Sequence, residues 1–476
     1  AECQHILFGA ECAERIQDAL PLMQEAGYTL HIQGGQCDFA QSVDSSWRTN
    51  SKAPIPKNAR DGVTYNDPCM YIYTSGTTGL PKAAIVKHAK LHGAGAAFAM
   101  NFGIGYNDRI YNSGLPLYHS AGNNIGGGVC LQTGATLVLR RKFSASAFWK
   151  EAAEYRCTVV QYIGELCRYL LAVKPSPEDK AHSVRLAIGN GLRPDIWEEF
   201  QTRFNIAEIG EFYGATEGNV ALFNWCRDER ARGAVGHMGI LMRQIGLCTI
   251  LRYDREKDEI VRDPETGFCI EAADGEPGEA CAAIKDRPAG SFDGYKGDEA
   301  QTNKKILTDV FKKGDRFFRT GDLLMKDKLG YYYFLDRLGD TFRWKGENVA
   351  TTEVTGVVSA VPGITEANIY GVEVPGKDGR ACCAAVTVDE TQLNLDEFLR
   401  ICKEQLPSYA VPIFVRILPK IDTTGTFKQQ KVGLRNQGID LDKISDEMYF
   451  LDESEGSYIP YNKDVYARIA SGQSRL

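Results

Sequence analysis

The residues best suited to chemistry lie together in one stretch, Thr74-Ser75-Gly76-Thr77-Thr78-Gly79-Leu80-Pro81-Lys82. The hydroxyls of Thr74, Ser75, Thr77 and Thr78, with the backbone N–H groups of a tight loop, suit the oxygens of a polyphosphate. Gly76 and Gly79 let the backbone approach a ligand closely, and Lys82 adds a compact positive charge. Met70-Tyr-Ile-Tyr73 and Ala83-Ala-Ile-Val86 flank the loop and read as strands. A Walker A loop is excluded, because no Gly-Lys-Ser/Thr follows and a strand stands where a helix should start. Composition alone also fits a plain surface hairpin of serine, threonine and glycine.

Five more stretches carry possible chemistry. In Glu211-Phe-Tyr-Gly-Ala-Thr-Glu-Gly-Asn219, Tyr213 before Gly214 can stack on a flat base, Thr216 can bond an α-phosphate, and Glu217 can hold Mg²⁺. The bland alternative is a helix start capped by Thr216. Phe318-Arg-Thr-Gly-Asp322 offers a carboxylate on what is otherwise an ordinary turn. Asp336 to Asn348 combines Arg337 with Gly339 and Gly346, and Pro419 to Lys431 contains Lys428 and Lys431. His119, in Leu115-Pro-Leu-Tyr-His-Ser120, is either a satisfied core histidine or a wall of a substrate site.

These stretches need elements to position them. Residues 1–40 read strand, helix, strand, a βα unit; residues 41–68, broken by Pro54, Pro56 and Pro68, read as a loop. Strands at 135–139, 158–162 and 184–188 alternate with helices at 89–99, 145–155 and 165–173, which implies a largely parallel sheet covered on both faces. Ligands bind beyond the carboxyl ends of such strands, where Asn190, Gly191 and Gly214 fall. From about residue 232 short strands at 248–252, 268–270 and 331–335 mark a β-rich subdomain. After Asp340 a helix at 353–360, strands at 367–374, 381–388 and 411–418, and a helix at 395–405 mark a compact α+β module. The expected domains are 1–338, the first of them incomplete at its start, and 339–476, with a hinge near Gly339.

The chain of 476 residues is 43% apolar and 25% charged, with net charge −7. That is globular composition, long enough for more than one core. The acidic balance argues against nucleic acid as a partner. Fourteen scattered cysteines with no C-x-x-C pair fit core residues in a reducing compartment. No apolar run is long enough to span a bilayer. The chain opens on Ala1 and is already mid-domain, with Gln4–Gly9 reading as a strand, so it is expected to be a fragment or processed product.

Taken in order, the motifs resemble those of the adenylate-forming enzymes: acyl-CoA synthetases, luciferases and peptide-synthetase adenylation domains. The resemblance implies an α/β fold, with a large N-terminal domain of doubly wound mixed and parallel sheets, a β-rich subdomain and a small mobile α+β lid. It assigns Thr74 to Gly79 and Lys82 to the ATP phosphates, Tyr213 to adenine, Thr216 to the α-phosphate and Glu217 to Mg²⁺. It gives Asp322 the ribose hydroxyls, Arg337 ribose and phosphate, and Gly346 the pantetheine tunnel. The adenylation lysine follows a glycine directly in most of the family; here it comes three residues after Gly425, so Lys428 is preferred and Lys431 is held in reserve.

Gly425-Thr-Phe-Lys428, Asn190-Gly-Leu-Arg-Pro-Asp-Ile-Trp197, Gly346-Glu-Asn-Val-Ala-Thr-Thr-Glu-Val354 and the Tyr213 motif resemble one branch, the fatty acid transport proteins or very long-chain acyl-CoA synthetases. No aspartate occurs in residues 115–122 to pair an amino-acid ammonium. The resemblance therefore implies an ATP-dependent fatty acid–CoA ligase with ATP, Mg²⁺ and coenzyme A as cofactors and co-substrates. A membrane-associated fatty acid carrier and a luciferase-like oxygenase are the alternatives. It also implies membrane association through a missing N-terminal part, leaves oligomerisation open, and points to the peroxisome, endoplasmic reticulum or plasma membrane. The ending Ser474-Arg475-Leu476 is close to a peroxisomal address on an exposed tail.

Overall fold

The computed structural model describes residues 3–74, 81–239, 247–255, 257–286, 290–389, 393–424 and 428–474. Two compact units are formed, Ala1–Asp67 and Pro68–Leu476. In the first, strands His5–Gly9, Thr29–Gln33 and Gln41–Ser42 pair in parallel, with helix Ala13–Glu25 as the crossover between the first two. Phe8, Leu30 and Ile32 are buried, and Ile16 and Leu20 of the helix pack on them. Residues 41–68, expected as a connecting loop, instead contain helix Asp44–Thr49 and a 3₁₀ turn at Lys57–Arg60. Asp44 at the helix start accepts from the Gly34 amide through both carboxylate oxygens (3.1 and 2.9 Å). That tether orders the segment before its prolines begin.

The second unit opens with an antiparallel hairpin, Pro68–Thr74 against Lys82–Lys87, whose register sets Thr74 opposite Lys82. Ser75, Gly76, Thr77, Thr78 and Gly79 lie outside the described residues.

A six-stranded sheet follows in the order Ala221–Cys226, Glu208–Gly214, Leu186–Asn190, Val159–Ile163, Arg109–Tyr111, Thr136–Val138. Only the first pairing is antiparallel. The near-continuous apolar strands have a direct cause, since both faces are covered. Val160, Tyr162 and Ala187 pack against Trp149, Trp197, Phe200 and Phe204 of one helical layer. Val159, Leu186 and Ile188 face Phe98, Ile125 and Val129 of the other. The period of two along each strand sends neighbouring residues to opposite cores.

Strands between Gly236 and Arg337 build a seven-stranded antiparallel sheet. The expected strand at 268–270 is reduced to an isolated bridge, Arg262 with Cys269. Gly267, at φ 73°, turns the chain immediately before it. A five-stranded mixed sheet then runs from Ile364 to Pro460, packed by helices Thr351–Ser359, Leu395–Gln405 and Lys463–Ala470. Asn394 caps the middle helix by accepting from the Asp396 and Glu397 amides (both 3.0 Å).

Residues 470–473 are exposed, whereas Ser474 is buried and its amide donates to the Arg468 carbonyl (3.3 Å); Arg475 and Leu476 lie outside the described residues. Among the described residues no helix is long and apolar enough to cross a membrane. Among the described residues no disulfide is formed, and most of the cysteines are buried as small core side chains.

Candidate active site

The parallel strands end on one edge, and that edge carries the site. Asn190 ends its strand and Gly214 ends the next. Gly191 follows at φ 81°, a left-handed turn that a side chain would strain. Behind this turn sits Glu211, only 1% exposed. It accepts from the amides of Gly191 (2.9 Å) and Leu192 (3.0 Å) and from the Tyr162 hydroxyl (2.5 Å). Burial pushes its carboxyl up to about 8, against the pull of those three donors. Glu211→Ala leaves two amides and a phenol unsatisfied in the core and is expected to cost about 3 kcal/mol. The midpoint of urea unfolding measures it, and Glu211→Gln should fall in between, because its amide nitrogen cannot accept.

Two motifs far apart in sequence meet through one bond. The Tyr213 hydroxyl donates to Asp322 Oδ2 at 2.6 Å. Asp322 reaches this position because Thr320, Gly321 and Asp322 bulge out opposite the single residue Ala280, with Gly321 at φ 78°. Glu279, fully buried, anchors the bulge by accepting from the Gly321 amide (3.1 Å) and from Arg319 (2.6 Å). Arg337 is the cross-strand partner of Asp322, with Nε 3.5 Å from Oδ1. Desolvation raises the Asp322 pKa while Arg337 opposes it.

A second group of polar side chains forms around Thr216 and Glu217. The Thr216 hydroxyl pairs with that of Ser120 at 2.8 Å, and Glu217 Oε1 accepts from the Tyr295 hydroxyl at 2.8 Å. Lys90 donates to the carbonyls of Thr216 (2.8 Å) and Gly218 (2.7 Å), and burial lowers its pKa to about 8. Among the described residues no other hydrogen bond reaches Glu217, and none of His, Cys, Asp or Glu cluster in threes to hold a metal alone. A lone carboxylate suits Mg²⁺ that arrives already held by substrate phosphates, so the residues fit that ion. Thr74 donates weakly to the Lys82 carbonyl (3.4 Å). The Lys82 ammonium donates to Gln301 Oε1 (2.9 Å) and lies 5.5 Å from the Tyr295 ring centre.

Lys428 enters the same cleft from the C-terminal part of the chain. Desolvation, then the Arg337 charge, lower its pKa to about 8 against the pull of Asp322 and Glu217. The residue as a whole is exposed, while its ammonium is the part that lies among these charges. His119 sits within reach of that charge; burial first, then Lys428, lower it to about 4 and keep it neutral. Lys431 is engaged elsewhere, donating to Thr351 Oγ1 (2.9 Å) and lying 3.4 Å from Asp340. Gly346, at φ 82°, turns the hairpin of Phe342–Trp344 with Glu347–Val349. Contacts beyond residue 339 hold this arrangement. Tyr169 donates to Glu366 (2.8 Å), Arg193 to the Gly356 carbonyl (3.0 Å) and Arg435 to the Gly339 carbonyl (3.0 Å).

Comparison with known proteins decides the family. Residues 1–286 match the AMP-binding enzymes, and residues 353–428 match the AMP-binding enzyme C-terminal domain. The chain belongs to the AMP-binding enzymes. Within them it belongs with the long-chain fatty acid transport proteins. It is 44% identical to long-chain fatty acid transport protein 2 of Rattus norvegicus, over 99% of this chain and 75% of that protein. It is 47% identical to long-chain fatty acid transport protein 1 of Homo sapiens, over 91% of this chain and 66% of that protein. The ATP-bound structure of MatB from Rhodopseudomonas palustris superposes with TM-score 0.73 at 25% identity, over 92% of this chain and 79% of that one. An anthranilate CoA ligase, AuaEII, shares the fold at 18% identity, with TM-score 0.74 over 91% of this chain and 78% of that one.

In this AMP-binding enzyme the motifs left several site residues unannounced. Glu211 opens the Tyr213 motif and Lys90 follows the hairpin, but with Glu208 and Lys87 close by neither stood out as a buried partner. Ser120, Glu279 and Tyr295 carried no signal, because pairing across distant segments brings them in.

Proposed function

We propose that the protein is an ATP-dependent fatty acid–CoA ligase that works through an acyl-AMP intermediate. The observation that carries this reading is the convergence of Tyr213, Asp322, Arg337, Glu217 and Lys428 on one cleft. A fatty acid carboxylate oxygen attacks the α-phosphorus of ATP, the bond to the bridging oxygen breaks and pyrophosphate leaves. Tyr213 provides a face for adenine, Asp322 accepts from the ribose hydroxyls and Arg337 contacts ribose and phosphate. Lys428 draws carboxylate and α-phosphate together and Thr216 bonds an α-phosphate oxygen, both groups being set where charge develops. Mg²⁺ held by Glu217 supplies charge neutralisation on the phosphates.

In the second half-reaction the coenzyme A thiolate attacks the acyl carbon and AMP leaves. The module after Gly339 turns about that residue, withdrawing Lys428 and presenting Gly346 to the pantetheine arm. The contacts of Glu366, Gly356 and Arg435 support the present arrangement as the one suited to adenylation. The name shared by the relatives, fatty acid transport protein, supports coupling of uptake to trapping as the thioester, with membrane association in the whole protein. Acyl-CoA formation by the full-length protein, measured across fatty acids from medium to very long chain, tests the reading. Thioester formation that depends on ATP and favours long chains is expected; formation from no fatty acid would overturn it.

A further inference from the structure

One segment outside the motifs touches both halves of the phosphate end. Residues 294–296 lie along the outer edge of strand Lys82–Lys87 of the loop-bearing hairpin. The Ile85 amide donates to the Gly294 carbonyl (3.1 Å) and the Lys296 amide to the Ala83 carbonyl (2.9 Å), with Ala84 bridged to Tyr295. Side chains repeat the attachment. Asp293 pairs with Lys87 at 2.6 Å, and Gln301 accepts from Lys82 at 2.9 Å. The Tyr295 backbone is held in turn by Thr302 Oγ1 (3.0 Å). From this fixed base the buried Tyr295 side chain sends its hydroxyl to Glu217 Oε1, 2.8 Å away.

We propose that Tyr295 is a positioning residue that aims the Glu217 carboxylate at the ATP-bound divalent cation, and that the strap 293–301 thereby keeps the phosphate hairpin and that carboxylate in register. The backbone around Glu217 is already pinned, since Lys90 grips the carbonyls of Thr216 and Gly218 on either side. The freedom that remains is rotation of the Glu217 side chain. A donor on Oε1 removes that freedom and leaves Oε2, which accepts no other hydrogen bond among the described residues, turned to the cation. Outer partners of a metal-binding carboxylate typically change metal affinity 10–100-fold when removed.

The inference rests on the ligase reading only for the presence of ATP with a divalent cation. Its test is Tyr295→Phe, which keeps the ring and the backbone pairing and deletes only the hydroxyl. Mn²⁺ bound in the presence of a non-hydrolysable ATP analogue is measured by electron paramagnetic resonance, and the Mg²⁺ dependence of pyrophosphate release is measured alongside. About 10-fold weaker Mn²⁺ binding and a matching rise in the Mg²⁺ requirement are expected, with the rate largely restored at saturating Mg²⁺. Unchanged Mn²⁺ binding would overturn the proposal, whether the rate falls or not, because a purely structural tyrosine would act on rate or stability alone. A wild type that binds Mn²⁺ with the analogue yet forms no acyl-AMP would defeat the ligase reading and leave the Tyr295 comparison readable.

Discussion

Lys428→Ala should lower fatty acid-dependent pyrophosphate release by about 10²–10³-fold, while leaving thioester formation from supplied acyl-AMP within about twofold of the wild type. The split follows from geometry. The Lys428 ammonium shares its cleft with Asp322, Glu217 and Arg337, so it acts where two anions, carboxylate and phosphate, must be brought together. Nothing in the attack of a thiolate on acyl-AMP needs it there. The pH dependence has a definite sign. With its pKa lowered to about 8, Lys428 is a cation below that value and loses its charge above it, so adenylation should decline as pH rises through 8. Lys428→Arg, which stays charged, should carry that decline to higher pH even if its rate is reduced. Equal loss in both half-reactions would reject the assignment, and retention of adenylation by Lys428→Ala would return attention to Lys431.

Glu217→Gln should lower adenylation by a similar 10²–10³-fold and raise the Mg²⁺ requirement. The substitution is close in shape, and the new amide carbonyl can still accept from Tyr295, so the negative charge is the main thing removed. Thermal stability should therefore hardly change. A variant with normal rate and normal Mg²⁺ dependence would show that the ion is held elsewhere.

Much of this site was legible because its motifs sit at the ends of strongly patterned strands. Apolar runs such as Leu186–Ile188 read as buried strands, so the residues that follow them were expected at the ligand edge. The Thr74–Lys82 flanks formed the hairpin that their β-branched and aromatic residues called for. What could not be read was tertiary pairing. Asp322 looked like an ordinary turn residue because the bulge opposite Ala280 and the support of Glu279 depend on strands forty residues apart. Tyr295 carried no local signal at all. The choice between Lys428 and Lys431 was equally hidden, since only packing reveals that Lys431 is occupied by Asp340 and Thr351. The helix at 44–49 was missed because nearby prolines outweighed the short-range tether of Asp44 to Gly34.

The central claim is that this cleft makes acyl-AMP before coenzyme A is needed. The most direct measurement is exchange of labelled pyrophosphate into ATP by the full-length protein, with fatty acid and Mg²⁺ present and coenzyme A absent. Exchange that requires a long-chain fatty acid, and disappears in Lys428→Ala, is the predicted result. Exchange absent with every fatty acid, in a protein that is folded and binds ATP, would contradict it.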